Sequence, residues 1–129
     1  DSGSGALDEL QILSVLPPGY DAKREPHAFD LHLTPDGRLL YASEGTSSTL
    51  AAYKVDPASG MLAPAGNFAT ENKPRGFNID PHGRYLLAAG VASHCLTSYS
   101  IDRDTGNLTK LKQYPMGRNP NWIEIISLP

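Results

Sequence analysis

Thr34-Pro35-Asp36-Gly37-Arg38 returns 46 residues later as Asp80-Pro81-His82-Gly83-Arg84, and this pair of turns sets the architecture. The same stride carries Tyr53-Lys54-Val55-Asp56 onto Tyr99-Ser100-Ile101-Asp102, Gly60-Met61-Leu62 onto Gly106-Asn107-Leu108, and Pro74 onto Pro120. Several matches at one spacing without a gap mark an internal structural repeat. Within one copy, residues 28–33 (AFDLHL) form a short apolar run. Pro35-Asp36-Gly37 supplies a tight turn, with proline presetting φ and glycine accepting a positive one. Residues 39–43, 49–55 and 61–68 give three more strands, the last interrupted by Pro64, which suits an outer edge because proline cannot donate to a ladder. The second copy reads as strands at 76–79, 85–89, 96–101 and 108–114.

Four strands in about 40–50 residues make one blade of a β-propeller. Residues 10–16 (LQILSVL) match a fourth strand and residues 121–128 (NWIEIISL) a first strand. The expected fold is therefore all-β: a β-propeller fragment with two complete four-stranded blades plus flanking strands. Residues 1–129 form a single partial propeller domain. Residues 9–26 are the last strand of a preceding blade and a linker, 27–72 and 73–118 are blades, and 119–129 are the first strand of a ring-closing blade. Propellers close with about 4–8 blades. The expectation is a piece of a longer ring, with exposed strand edges that pair with the remaining blades or with another copy.

Composition narrows the function. The 129 residues are 40% hydrophobic and 19% charged, which is globular. A net charge of −3 disfavours nucleic acid. No apolar run approaches the roughly 20 residues of a membrane span. One cysteine, Cys95, makes no internal disulfide and reads as a buried small hydrophobe, and the Asp1-Ser2-Gly3-Ser4-Gly5 start has no signal-peptide pattern. Asp102-Arg103-Asp104-Thr105-Gly106 begins like a calcium loop but lacks the later glutamate, and its copy, Asp56-Pro57-Ala58-Ser59-Gly60, marks it as a hairpin turn. The four histidines and the cysteine have no metal-ligand spacing, so neither metal nor cofactor is expected.

His32 to Arg38, Lys73-Pro74-Arg75-Gly76-Phe77-Asn78-Ile79-Asp80, Ala88 to His94 and Asn119-Pro120-Asn121-Trp122 together resemble the last third of the seven-bladed propeller lactonases, over about residues 9–128. The resemblance implies that the intact protein hydrolyses a phosphorylated sugar lactone, 6-phospho-glucono-1,5-lactone, to 6-phosphogluconate in carbohydrate metabolism in the cytoplasm; with only two complete blades of the ring, the isolated piece is expected to be inactive. One fold hosts many functions. The alternatives are a non-catalytic binding or scaffold module, and a lactonase or cyclase for another carboxylic acid. A cationic mouth favours the lactonase and an apolar rim the scaffold.

In a propeller the loops from fourth to first strand and from second to third strand share one face. They gather His27, Glu44, Asn72, Arg75, Ser93, His94, Asn119 and Asn121. Lactone hydrolysis needs a base for water, donors for the oxyanion and a cation for the phosphate. Arg75, between Pro74 and Gly76, is the candidate for phosphate or oxyanion. His94, His32 and Glu44 are candidates for proton removal. Asn78, Asn121 and Ser93 are candidates for sugar hydroxyls. His32, Asn78 and Glu124 form a polar column on the first strands, which suits either a water-lined channel or hydrogen bonds between blades. Trp122 is expected to pack between blades.

Overall fold

The computed structural model describes residues 3–21 and 23–127. Asp1, Ser2 and Leu128, on which parts of the N-terminal and last-strand readings fall, lie outside them. The first sheet contains β1 (Ala28–Leu33), β2 (Leu39–Glu44), β3 (Thr49–Val55) and β4 (Leu62–Ala69). The second contains β5 (Pro74–Ile79), β6 (Tyr85–Gly90), β7 (Cys95–Ile101) and β8 (Leu108–Pro115). Each sheet is antiparallel, with strands side by side in chain order. The repeat thus yields two four-stranded meanders. Pro64 lies on edge strand β4, next to a register shift opposite Ala52 and Tyr53. A proline on an edge leaves no ladder bond unmade. The turns behave as the repeat requires: Asp56 accepts from the backbone of Ala58 and Ser59, and Asp102 from that of Asp104 and Thr105.

The two sheets pack face to face around Tyr41, Leu50, Ala52, Phe77, Ile79, Leu86, Ala88 and Tyr99. Burial of these side chains is the main stabilising term, about 25 cal/mol per Å² of apolar surface removed from water. Tyr41 donates from β2 to the carbonyl oxygen of Gly106, in the turn between β7 and β8, at 2.9 Å. Arg103 pairs with Asp36 across the sheets at 3.1 Å. The hydroxyl of Thr34 and the Arg103 guanidinium are among the groups that hold the Asp36 carboxyl at about 2.

Equivalent repeat positions differ in burial, and the difference shows the wedge geometry. Phe77 and Ile79 on β5 are buried, while their counterparts Leu31 and Leu33 on β1 are 64% and 54% exposed. β1 covers β5: the His32 ring meets the Phe77 ring edge-on at 4.9 Å, and Asp30 accepts from the Phe77 amide. Among the described residues nothing covers β1 in turn.

Four expectations are corrected. Residues 10–16 and 121–127 form no ladder. A strand needs a partner along its edge, and the described residues offer neither segment one. Each instead lies against a sheet through side-chain bonds. Gln11 exchanges two hydrogen bonds with the Leu62 backbone, and Asn67 donates to the Val15 carbonyl oxygen. Asn78 donates to the Ile123 carbonyl oxygen at 3.0 Å. Trp122, expected between blades, is 78% exposed for the same reason. Cys95 is half-buried at the start of β7 rather than fully enclosed. Among the described residues no helix is long and apolar enough to cross a membrane.

Candidate functional site

One end of the two sheets is a chain of interlocked loops. The Gly45 amide donates to the His27 carbonyl oxygen, and the Thr46 hydroxyl to that of Glu25. The Thr70 amide bonds the Ser48 carbonyl oxygen, and the Lys73 amide the Ser48 hydroxyl. Val91 and Ala92 donate to the carbonyl oxygens of Lys73 and Asn72, and Met116 to that of His94. Every loop from a fourth to a first strand is thus pinned to the neighbouring loops from second to third strands, which places His27, Asn72, Arg75, His94 and Asn119 on one face.

The strained backbone collects on this face. Ser48, Lys73, His94 and Asn119 are the non-glycine residues with positive φ among the described ones, all between 53° and 56°. They form two repeat pairs, Ser48 with His94 and Lys73 with Asn119. Non-glycine residues held in this region cost free energy and concentrate at functional sites.

Arg75 is exposed beside Pro74, its guanidinium 6.0 Å from the centroid of the Phe29 ring. Among the described residues no carboxylate pairs with it. Sitting over an aromatic face keeps its planar fork oriented yet free to bind an oxyanion.

His94 is exposed, and its Nδ1 accepts a hydrogen bond from the Asn119 amide at 3.2 Å. A backbone N–H only donates. The neutral ring therefore carries its proton on Nε2, which makes that nitrogen a hydrogen-bond donor. Proton removal by neutral His94 would need the opposite tautomer.

Glu44 is fully buried at the end of β2. One carboxylate oxygen accepts from the amides of His27 and Thr46, the other from the amide and hydroxyl of Ser47. Burial pushes the carboxyl up, but the bonds from Ser47, His27 and Thr46 outweigh it and hold the pKa at about 2. A carboxylate with both oxygens engaged and no solvent path anchors a loop; it does not reach a substrate, so its expected part in proton removal is corrected.

Ser93, expected to meet sugar hydroxyls, donates instead to Glu71 at 2.6 Å. Glu71 is a carboxylate the sequence reading missed. It is 5% exposed and also accepts from Thr97 and, at 2.7 Å, from Gln113. Burial raises its pKa, and the three side-chain bonds, with help from Lys110, bring it below the ordinary value. The signal was in the repeat: Ser47 recurs as Ser93, but Glu44 recurs as Gly90, leaving a retained serine without its carboxylate.

His32 is hydrogen-bonded to Asp30 and packed on Phe77. Asn78 bonds Ile123 and, through its oxygen, the Ile79 amide. The polar column therefore serves contacts within and between inner strands, and neither residue joins the mouth. Asn121 is exposed, and its carbonyl oxygen lies where a side chain on Gly76 would sit, 2.5 Å from the ideal Cβ position.

A groove of about 480 Å³ opens beside Arg75, lined by Arg24, His27, Phe29, Gly45, Thr46, Ser48, Asn72 and Lys73. No acidic residue lines it. Among the described residues no group of three metal-ligating side chains is gathered to hold an ion.

Two four-stranded meanders packed face to face, with a basic, loop-built mouth at one end, have the architecture of a propeller fragment. The family comparison agrees: residues 1–125 match the family described as Lactonase, 7-bladed beta-propeller. The chain belongs to this seven-bladed propeller lactonase family. It is 40% identical over 128 residues to a 6-phosphogluconolactonase of Pectobacterium carotovorum, covering 99% of this chain and 38% of that protein. It is 39% identical over 123 residues to a 6-phosphogluconolactonase of Serratia proteamaculans, covering 95% and 37%. The solved structure of a periplasmic gluconolactonase from Pseudomonas aeruginosa superposes with a TM-score of 0.90 at 30% identity, covering 100% of this chain and 36% of that one. The chain thus spans a little over a third of the length of these relatives.

Proposed function

We propose that the protein to which these blades belong is a lactonase that hydrolyses a phosphorylated sugar lactone, as the 6-phosphogluconolactonase relatives do by name. The observation that carries the proposal is the unpaired Arg75 guanidinium on the same loop-built face as the His94 Nε2–H donor. Water attack on a lactone carbonyl moves negative charge onto its oxygen. Two fixed donors, one of them a permanent cation, stabilise that charge more than they stabilise the ground state. Glu44 and Glu71 are engaged elsewhere, so this assignment leaves water activation to side chains of other blades. A basic mouth favours this reading over a scaffold, which would present an apolar rim.

Grafting tests it. The 129-residue chain alone is expected to show no hydrolysis of 6-phosphogluconolactone above the uncatalysed rate. Substituted for the matching third of the Pectobacterium enzyme, it is expected to support turnover. In that chimera Arg75→Met lowers kcat/KM about 100-fold, the scale for loss of one oxyanion donor. Activity unchanged by Arg75→Met would refute the assignment.

We further propose that Leu31 and Leu33 take a neighbouring blade as β5 takes β1. Left open, this apolar face drives association. Light scattering is expected to show mass rising with concentration, and Leu31→Ser with Leu33→Ser to suppress the rise. Equal masses at all concentrations for the unsubstituted chain would contradict this.

A further inference from the structure

We propose that the groove over Phe29, walled by Arg24, His27 and Lys73, seats the phosphate of a phosphorylated sugar acid or lactone and so leaves Arg75 to the carbonyl; this rests on the lactonase reading.

Charge comes first. Arg24, Lys73 and His27 line the groove with no acidic neighbour in its wall. Among the described residues neither Arg24 nor Lys73 is paired with a carboxylate. On a chain of net charge −3 this is a local concentration of basic groups, and such a concavity raises the local concentration of anions. Nitrogen donors arriving from separate loops suit a tetrahedral dianion better than a planar carboxylate, which one guanidinium satisfies alone.

The walls are built in place. Gly45 is buried, and a Cβ there would fall 2.3 Å from the edge of the Phe29 ring, so the ring takes this position because residue 45 has no side chain. The His27 ring stacks on Phe29 with centroids 6.3 Å apart and planes 17° apart. Lys73 is held at φ 53° and its amide bonds Ser48. Thr46, Ser48 and Asn72 add neutral polar groups to the wall. A volume of about 480 Å³ lies within the common range for small-ligand sites.

The floor also gives direction. The ring that floors the groove is the ring beneath the Arg75 guanidinium. A ligand with phosphate at one end and a carbonyl at the other can lie across Phe29 and satisfy both basic groups. A sugar ring's apolar face fits that aromatic surface.

Binding to the 129-residue chain tests this, by calorimetry and amide shifts, with 6-phosphogluconate and gluconate as probes. Each variant is first checked to retain the amide spectrum of β5–β8. The expected result is 6-phosphogluconate bound about tenfold more tightly than gluconate, the scale of one charge-assisted hydrogen bond. Inorganic phosphate competes with it, and Arg24→Met with Lys73→Met removes the preference. If the preference survives the double substitution, the phosphate sits elsewhere and the groove proposal falls while the lactonase reading stands. If 6-phosphogluconate does not bind, the groove proposal falls as well. If instead the preference behaves as expected but Arg75→Met leaves gluconate affinity unchanged, the groove stands and the role given to Arg75 fails.

Discussion

Replacing Glu44 with alanine is expected to lower the unfolding free energy by about 3 kcal/mol, a fall in Tm of roughly 10 °C. The carboxylate is enclosed and accepts from three backbone amides and one hydroxyl. Alanine takes the acceptor from three part-buried amides and leaves a void where the enclosed carboxylate stood. Glutamine keeps one oxygen for His27 and Thr46 but turns an NH2 group toward the Ser47 amide, so donor faces donor. Glu44→Gln should therefore cost about 2 kcal/mol despite its equal size. The pH dependence separates charge from packing. The folded carboxyl titrates at about 2 against an ordinary value of 4.5. A group depressed in this way stabilises the fold at pH values above its unfolded pKa, and the contribution fades as pH falls through the folded one. The unsubstituted chain should lose about 3 kcal/mol from this group between pH 4.5 and 2. The glutamine variant, already weaker at neutral pH, should lack that component. Denaturant titrations of both proteins at several pH values measure it, and parallel losses would assign the acid sensitivity to another group.

The meanders were readable because every strand inside a repeat finds its partner in the same repeat. Alternation and turn chemistry are local, and Pro35-Asp36-Gly37 with Pro81-His82-Gly83 fixed the hairpin positions. The flanking segments failed the same test. Residues 10–16 and 121–127 have strand composition, but pairing is a property of two strands, and composition alone supplies one. Topology also put Arg75 and His94 on one face, since loop order follows from strand order. What the sequence could not reveal is which polar groups are already committed. Ser93, Asn78 and Glu44 have the right chemistry for a sugar site, yet each spends it at least in part on a partner distant in sequence that folding brings beside it. The Phe29 floor was hidden too, because it depends on a glycine 16 residues away that leaves space for a ring.

Glu71 and Gly90 carry the second large expectation. In the first blade the carboxylate that receives the loop serine comes from the end of β2; in the second it comes from the loop before β5. The exchange needs glycine at position 90, where a Cβ would lie 2.1 Å from the Ser93 hydroxyl and 2.5 Å from the Glu71 Cβ. Gly90→Ala should therefore cost about 2–3 kcal/mol through overpacking. Glu71→Ala should cost about as much by a different route, orphaning the buried Thr97 hydroxyl and releasing the half-buried Ser93 and the exposed Gln113. Because both substitutions disturb one cluster, their costs should not add. Without the Glu71 carboxylate the Ser93 hydroxyl is released and can turn away from the new methyl at position 90, so although the Cβ of residue 71 stays in place the double variant should lose at least 1 kcal/mol less than the sum. Loop geometry supplies a second readout. Ser93 precedes His94, so freeing it should weaken the Asn119-to-Nδ1 bond and let the ring exchange tautomers. Long-range proton–nitrogen spectra should show the Nε2–H form in the unsubstituted chain and averaged nitrogens in Glu71→Ala. A His94 ring that keeps one tautomer after the substitution would mean that Asn119 alone sets it, and that Glu71 stabilises the blade without orienting the histidine.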